Sequence, residues 1–384
     1  MKRVGQLAVL LCVLALVVTL FGCGGQSGPA GGSVGTAGKP PPPPPPASYT
    51  VVNLGTVGSP YDVNDVGQIV GYTGSDYLTY DTLLWEDNGS GPLTPTILPR
   101  PDGTDPSYLG GISNPSDKNL AVIAGTSFHG TVSTAIVWES GGSGWAPTEL
   151  PLPAEGGYTE SYASGVSDSG SAVVGYAETP DRVRHAVVWE KSGSDWQVAH
   201  ILDTIDLKAS GANDVNDSGL VIAGNAADSA NPPPFVWDTQ TGSVSNVQNA
   251  RWLPDISNLG AMAGTIQPYH AALWSSPGSS PTDLGVLSGY EASQGFALDD
   301  QGPGQQRVVG NCWYQKRQKG GQVPPLEYHH AFIWKEGVGM KDLNTMVGPG
   351  SGWVLTAARG INRNGYIVGN GNLGAYMLRP ISSP

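Results

Sequence analysis

Beyond Tyr49 the chain is a succession of short apolar runs cut by Asn, Asp, Ser and Gly, and two patterns recur along it. The first is an apolar residue, Asn or Ser, two variable residues and Gly, followed by a short apolar run that ends in Gly. It reads Val63-Asn64-Asp65-Val66-Gly67-Gln68-Ile69-Val70-Gly71. It returns as Val166-Ser167-Asp168-Ser169-Gly170 ending at Gly175, Val215-Asn216-Asp217-Ser218-Gly219 ending at Gly224, Ile256-Ser257-Asn258-Leu259-Gly260 ending at Gly264, and Ile361-Asn362-Arg363-Asn364-Gly365 ending at Gly369. Degenerate copies end at Gly125 and Gly310. The second pattern is a small residue, apolar residues and Trp, at Thr82-Leu83-Leu84-Trp85, Ala135-Ile136-Val137-Trp138, Ala186-Val187-Val188-Trp189, Phe235-Val236-Trp237, Ala271-Ala272-Leu273-Trp274 and Ala331-Phe332-Ile333-Trp334. A seventh copy, Ala375-Tyr376-Met377-Leu378, carries Leu in place of Trp.

Each pattern predicts an element. Asn or Ser followed three residues later by Gly, between apolar runs, is a hairpin turn: the side chain bonds nearby backbone and Gly takes positive φ at little cost. The apolar quartet ending in Trp is too short and too β-branched or aromatic for a helix, and reads as a buried strand. A weaker third unit, at Asp283-Leu284-Gly285 and Asp342-Leu343-Asn344, supplies another strand. A repeat is thus about four short strands, a sheet that cannot bury both faces alone. Stacking such sheets buries them, with the Trp wedged between neighbours.

The terminal glycines of the first pattern fall 40 to 59 residues apart, which suits a four-stranded blade. Seven units predict an all-β, seven-bladed β-propeller over residues 49–384. The last repeat has room for only three strands before Pro384, and the N-terminal Thr50-Val51-Val52-Asn53-Leu54-Gly55 is similar to Thr282-Asp283-Leu284-Gly285. The ring is therefore expected to close by an N-terminal strand completing the C-terminal blade, which limits exposed sheet edges.

Composition agrees with this reading. Fifty-five Gly and 32 Pro exclude a helix-rich protein, and 13% charged residues, against about 25% in an average domain, exclude long salt-bridged helices. A 39% hydrophobic share with 11 Trp and 15 Tyr still provides a core.

The first fifty residues carry an address. Lys2 and Arg3 precede an apolar run from Leu7 to Phe21, an export-signal pattern. Leu20-Phe21-Gly22-Cys23 resembles the lipobox of bacterial lipoproteins. That resemblance implies removal of a signal peptide, residues 1–22, and diacylation of Cys23. Residues 23–48 then form a tether: a Gly/Ser-rich stretch to Lys39, and Pro40 to Pro46 as stiff polyproline spanning roughly 20 Å. Acyl chains at about 0.8 kcal/mol per buried CH₂ would hold the protein on a membrane.

Without the signal, 17 basic residues face 32 acidic ones, a net charge of −15. With no basic stripe, nucleic acid is excluded as a partner. Only Cys312 remains in the folded part, so no intramolecular disulfide and no zinc spacing exist.

His330-Ala331-Phe332-Ile333-Trp334, with the Ile361 to Gly369 unit, resembles the HAF repeat of bacterial extracellular proteins. The resemblance covers roughly Tyr49 to Arg379, and implies an extracellular repeat protein with no particular activity.

Candidate chemistry is sparse. His185, His270 and His330 occupy one repeat position, and His329 precedes His330, but equivalent residues of different blades sit apart around a ring, so no metal site is expected. The runs from Asp62 to Gly67 and from Asp214 to Gly219 lack the final bidentate Glu of a calcium loop and read as turns. No nucleophile elbow, phosphate loop or zinc-protease motif occurs, so neither catalytic residues nor a cofactor are assigned. One segment stands apart, from Asn311 to Lys319, which reads as an insertion in blade six. Its Trp313, Tyr314, Lys316 and Arg317 form a candidate ligand-binding loop, aromatics and Arg being common recognition groups.

The chain therefore reads as a lipid-anchored, exported monomer at the cell envelope, binding or displaying a glycan or protein ligand without catalysis. The alternative is a propeller-type hydrolase or lyase acting on a glycan. Convergent carboxylates over the channel favour the alternative; a mouth lined by Ser, Gly and apolar groups favours binding.

Overall fold

The computed structural model describes residues 48–74, 80–101, 105–141, 144–202, 210–224, 234–314 and 329–381. Cys23 with the signal and most of the tether, and Lys316 and Arg317 of the candidate loop, lie outside these residues. The described chain forms seven four-stranded antiparallel sheets arranged in a ring, a seven-bladed β-propeller. Blade one is Ser59–Val63, Gln68–Tyr72, Thr82–Glu86 and Thr96–Ile97, each strand pairing with the next. The innermost strands of blades two to seven are Asp105–Ile112, Glu160–Val166, Gly211–Val215, Ala250–Ile256, Ala292–Leu298 and Leu355–Ile361.

The repeated Asn or Ser explains why each innermost strand turns back. In all seven blades this side chain accepts the backbone N–H at the start of the next strand. The residues are Asn64, Ser113, Ser167, Asn216, Ser257, Asp299 and Asn362, with distances of 2.8 to 3.2 Å. Gly67 at φ +83° and Gly365 at φ +82° take the left-handed turn position that a side chain would strain. In blade six the degenerate copy uses Asp299, and the carboxylate does what Asn or Ser does elsewhere.

The repeated Trp is the wedge between blades. Trp85, Trp138, Trp189 and Trp274 are fully buried. Each indole N–H donates to a backbone carbonyl of the segment arriving from the preceding blade: Leu54, Pro99, Pro151 and Gln248, at 2.6 to 3.0 Å. The polar edge of a large apolar side chain is thereby satisfied inside the core. Leu378, at the seventh position, is fully buried and makes no such bond among the described residues.

The closing sheet mixes the two ends of the chain. Tyr49–Gly55 pairs antiparallel with Gly374–Pro380, Val51 opposite Leu378, so the seventh blade runs Leu355–Ile361, Ile367–Gly371, Gly374–Pro380, Tyr49–Gly55. Val52 and Leu54 pack with Trp85 and Met377, joining the closing sheet to blade one.

One sequence reading needs correction. Asn311, Cys312 and Trp313 are not part of an insertion: they end the strand Arg307–Trp313, where Asn311 and Cys312 are buried. The apolar pairing of Val308 and Val309 with Trp334 and Ile333 simply continues past Gly310.

Candidate functional site

The channel has two ends of different chemistry. At the turn end, the residue directly after each turn Asn or Ser forms a belt around the ring. Asp65 N–H donates to Asn114 Oδ1 at 2.7 Å, Asp217 N–H to Asn258 Oδ1 at 2.8 Å, and Asn258 N–H to Asp300 Oδ1 at 2.9 Å. Arg363 N–H donates to Asp65 Oδ1 at 2.8 Å and closes the belt between blades seven and one. Asp168 is reached from across the ring, by Asn258 Nδ2 at 2.8 Å and Arg363 Nη2 at 3.2 Å. Arg363 also pairs with Asp300.

A second column lies two residues before each turn residue. Asp62, Asp214 and Asp255 each accept a backbone N–H of the following blade, from Ile112, Ile256 and Leu298 at 3.2, 3.0 and 2.7 Å. The Asp62 and Asp214 runs are thus turns, as their sequences indicate, but these two carboxylates bond the neighbouring blade as well as the next N–H of their own strand. Burial raises Asp62 above the usual carboxylate range. Asp214 and Asp255 hydrogen-bond each other, and burial followed by their mutual repulsion drives Asp214 well upward. Asp168 is pushed up to about 7 by burial, which the guanidinium of Arg363 opposes and the neighbouring Asp300, Asp217 and Asp62 reinforce.

These groups enclose a cavity of about 110 Å³, space for a few waters. The polar lining at this end is therefore mainly carboxylates and carboxamides, set among apolar residues such as Val63, Ile112 and Ile361. Most of those oxygens are already occupied by main-chain N–H groups, Asn258 or Arg363. Among the described residues no group of three or more His, Cys, Asp or Glu has the geometry to hold a metal ion.

The opposite end is aromatic and basic. Here the guanidinium of Arg251 lies 4.6 Å over the ring of Tyr269, and that of Arg359 lies 4.3 Å over Phe296. Phe296 meets Trp252 edge-on at 5.8 Å. Trp313 stacks on His329 at 6.1 Å and meets Tyr269 edge-on at 6.3 Å. Blades five, six and seven together build this cluster. Asn311, only 8% exposed, donates from Nδ2 to His329 Nδ1 at 3.1 Å, while its Oδ1 and His329 Nε2 are buried without a hydrogen-bond partner among the described residues. Burial and then the charge of Arg359 lower the His329 pKa, keeping the ring neutral near pH 7.

Of the candidate loop residues, Trp313 joins this cluster, whereas Tyr314 stacks on Tyr290 at 4.5 Å, beside His330. The repeat histidines do not converge. His270 pairs with Asp283 at 2.9 Å and His330 with Asp342 at 2.7 Å, each bracing the third strand of its blade against the fourth, and His185 bonds the Tyr158 hydroxyl at 2.7 Å. Cys312 is buried against Met340 and its thiol is pushed up to about 12 by burial, so it is no nucleophile.

Arg251, Trp252, Tyr269, Phe296 and Arg359 were not singled out from the sequence, and His329 was weighed there only as a metal ligand. A signal existed for two of them. The position three before each turn residue reads Tyr61, Gly110, Ser164, Asn213, Pro254, Phe296, Arg359, a column whose variety marks residues released from the repeat's packing duties.

No protein-family model matches the chain, and no curated protein does. Among solved structures it is similar to oligogalacturonate lyase from Vibrio parahaemolyticus, at 8% identity and TM-score 0.50 over 87% of this chain and 98% of the other. It is also similar to YCF48 from Cyanidioschyzon merolae, at 13% identity and TM-score 0.49 over 87% and 99%. A third is TolB from Acinetobacter baumannii, at 12% identity and TM-score 0.41 over 86% of this chain; the match spans 64% of that chain. Similarity at these identities shows the fold alone.

Proposed function

We propose that the protein is an exported, lipid-anchored propeller of the HAF-repeat type that binds a ligand at the aromatic end of its channel, without catalysis. The observation that carries the binding reading is the cluster of Trp252, Tyr269, Phe296 and Trp313 with two stacked guanidiniums, gathered from three blades onto one rigid rim. Aromatic and Arg side chains dominate recognition energetics when a scaffold fixes them, because they lose little freedom on binding. The anchoring reading rests on the export pattern, Cys23 and the tether, which together would hold the ring off a membrane. The test has two arms. Cys23→Ser should release the protein from membranes, and wild type already found soluble would contradict anchoring. A binding array with the full chain in detergent should return ligands lost on Trp313→Ala; unchanged binding would contradict the site.

One observation favours a second reading, a glycan hydrolase or lyase: the Asp214–Asp255 pair and Asp168, all raised by burial, share one cavity. New reducing ends released from oligosaccharides by wild type, and not by Asp214→Asn, would establish it.

A further inference from the structure

Eight arginines lie in the described residues, and six of them pair with a carboxylate: Arg100, Arg182, Arg184, Arg307, Arg363 and Arg379. Arg251 and Arg359 do not. In a chain of net charge −13 this is a marked exception, since acidic side chains outnumber basic ones and could have been placed against them. Both unpaired guanidiniums sit at the same end of the channel, each held flat on an aromatic ring. Stacking fixes the plane of the fork and leaves its edge N–H groups for a planar anion. In the same cluster, Asn311 Oδ1 and His329 Nε2 are buried without a hydrogen-bond partner among the described residues.

From this geometry we infer that the ligand is a carboxylate-bearing sugar chain, a polyuronate, bound with its carboxylates on Arg251 and Arg359. The inference deepens the binding function proposed above and rests on it. A sugar carboxylate matches the guanidinium fork in two parallel hydrogen bonds. The C–H faces of the sugar ring suit the flat surfaces of Trp252 and Trp313, which an acidic peptide with its flexible side chains fills less well.

The experiment titrates the full chain in detergent with a galacturonate tetramer, with the neutral cellotetraose, and with an Asp/Glu peptide of equal charge. The expected result is binding of the tetramer at least tenfold tighter than either comparator, weakening as salt is raised. Arg251→Gln with Arg359→Gln should lose at least tenfold, and Arg359→Lys should recover only part, because an ammonium keeps the charge and not the fork. Melting curves of these variants, compared with wild type, separate lost affinity from lost fold. If the neutral sugar binds as well, or the peptide binds better, and Trp313→Ala abolishes that binding, the binding function stands and the uronate assignment falls. If the tetramer binds wild type and the double Arg variant equally, the assignment also falls. If none of the three probes binds wild type, the uronate assignment fails, and the binding array decides the wider reading.

Discussion

The two ends of the channel use polar residues in opposite ways. At the turn end, Asp65, Asn114, Asp217, Asn258 and Asp300 are bound to one another or to main-chain N–H groups, blade to blade, and Arg363 ties the last blade to the first. At the other end, among the described residues, Arg251 and Arg359 have no carboxylate, and Asn311 and His329 retain unmet atoms. Unfilled hydrogen-bonding capacity inside a protein is costly, so it persists where something other than folding uses it. The acidic end, which looks more like chemistry, is the more structural of the two.

The sharpest way to break this contrast is at the ring closure. Removing residues 49–55 takes away the strand paired with Gly374–Pro380 and the carbonyl that Trp85 holds. Cooperative melting should be lost, whereas removing residues 24–46 should leave the melting temperature unchanged. A truncated chain that melts like wild type would show that the pairing carries no stability.

Next in size is the Trp wedge. Trp189→Ala should cost about 3–5 kcal/mol, the range for deleting a large buried aromatic, read from denaturant unfolding. Trp189 is fully buried and bonded to Pro151 at 2.8 Å, while Trp313 at the open rim is only half-buried. Trp313→Ala should therefore destabilise far less, and equal losses would erase the distinction between core and rim.

A smaller effect is expected at a turn residue beside the belt. Asn362→Ala removes the acceptor for Tyr366 N–H at 2.9 Å and the donor to the Asn64 carbonyl at 2.8 Å, the latter across the closing seam. The loss should be about 1–3 kcal/mol, the cost of leaving buried partners unsatisfied.

The smallest is a pH dependence. Asp168 is raised to about 7, so the folded state binds its proton more tightly than the unfolded chain, whose carboxyl titrates near 4. That contribution is complete below pH 4 and is lost as pH rises toward 7. Asp168→Asn copies the protonated form, so its melting temperature should gain on that of wild type between pH 5 and pH 8. A constant difference would mean that Asp168 is not raised.

How much of this was legible follows from what a repeat does and does not encode. The hairpin turns and Trp strands recur because every blade needs them, and Asn64 or Trp189 can be read from that recurrence alone. The belt was not legible: Asp65 meets Asn114 across 49 positions and Arg363 across 298, and nothing local marks either partner. The same turn signal that identified Asn216 also concealed Asp214, whose carboxylate serves the next blade. The rim was hidden for the opposite reason. Arg251, Phe296 and Arg359 break the repeat, and only alignment of all seven inner strands shows that the exceptions gather at one end. Trp313 was noticed for its basic neighbours, although its partners are His329 and Tyr269.

The central claim is that one end holds the ring and the other holds a ligand. It is tested most directly by measuring melting temperature and galacturonate-tetramer affinity on the same two variants, Arg359→Gln and Asn362→Ala. The account predicts that Arg359→Gln keeps the wild-type melting temperature and loses affinity, while Asn362→Ala melts several degrees lower and binds as wild type below its transition. The reverse assignment, with affinity lost at Asn362 or stability lost at Arg359, would contradict it.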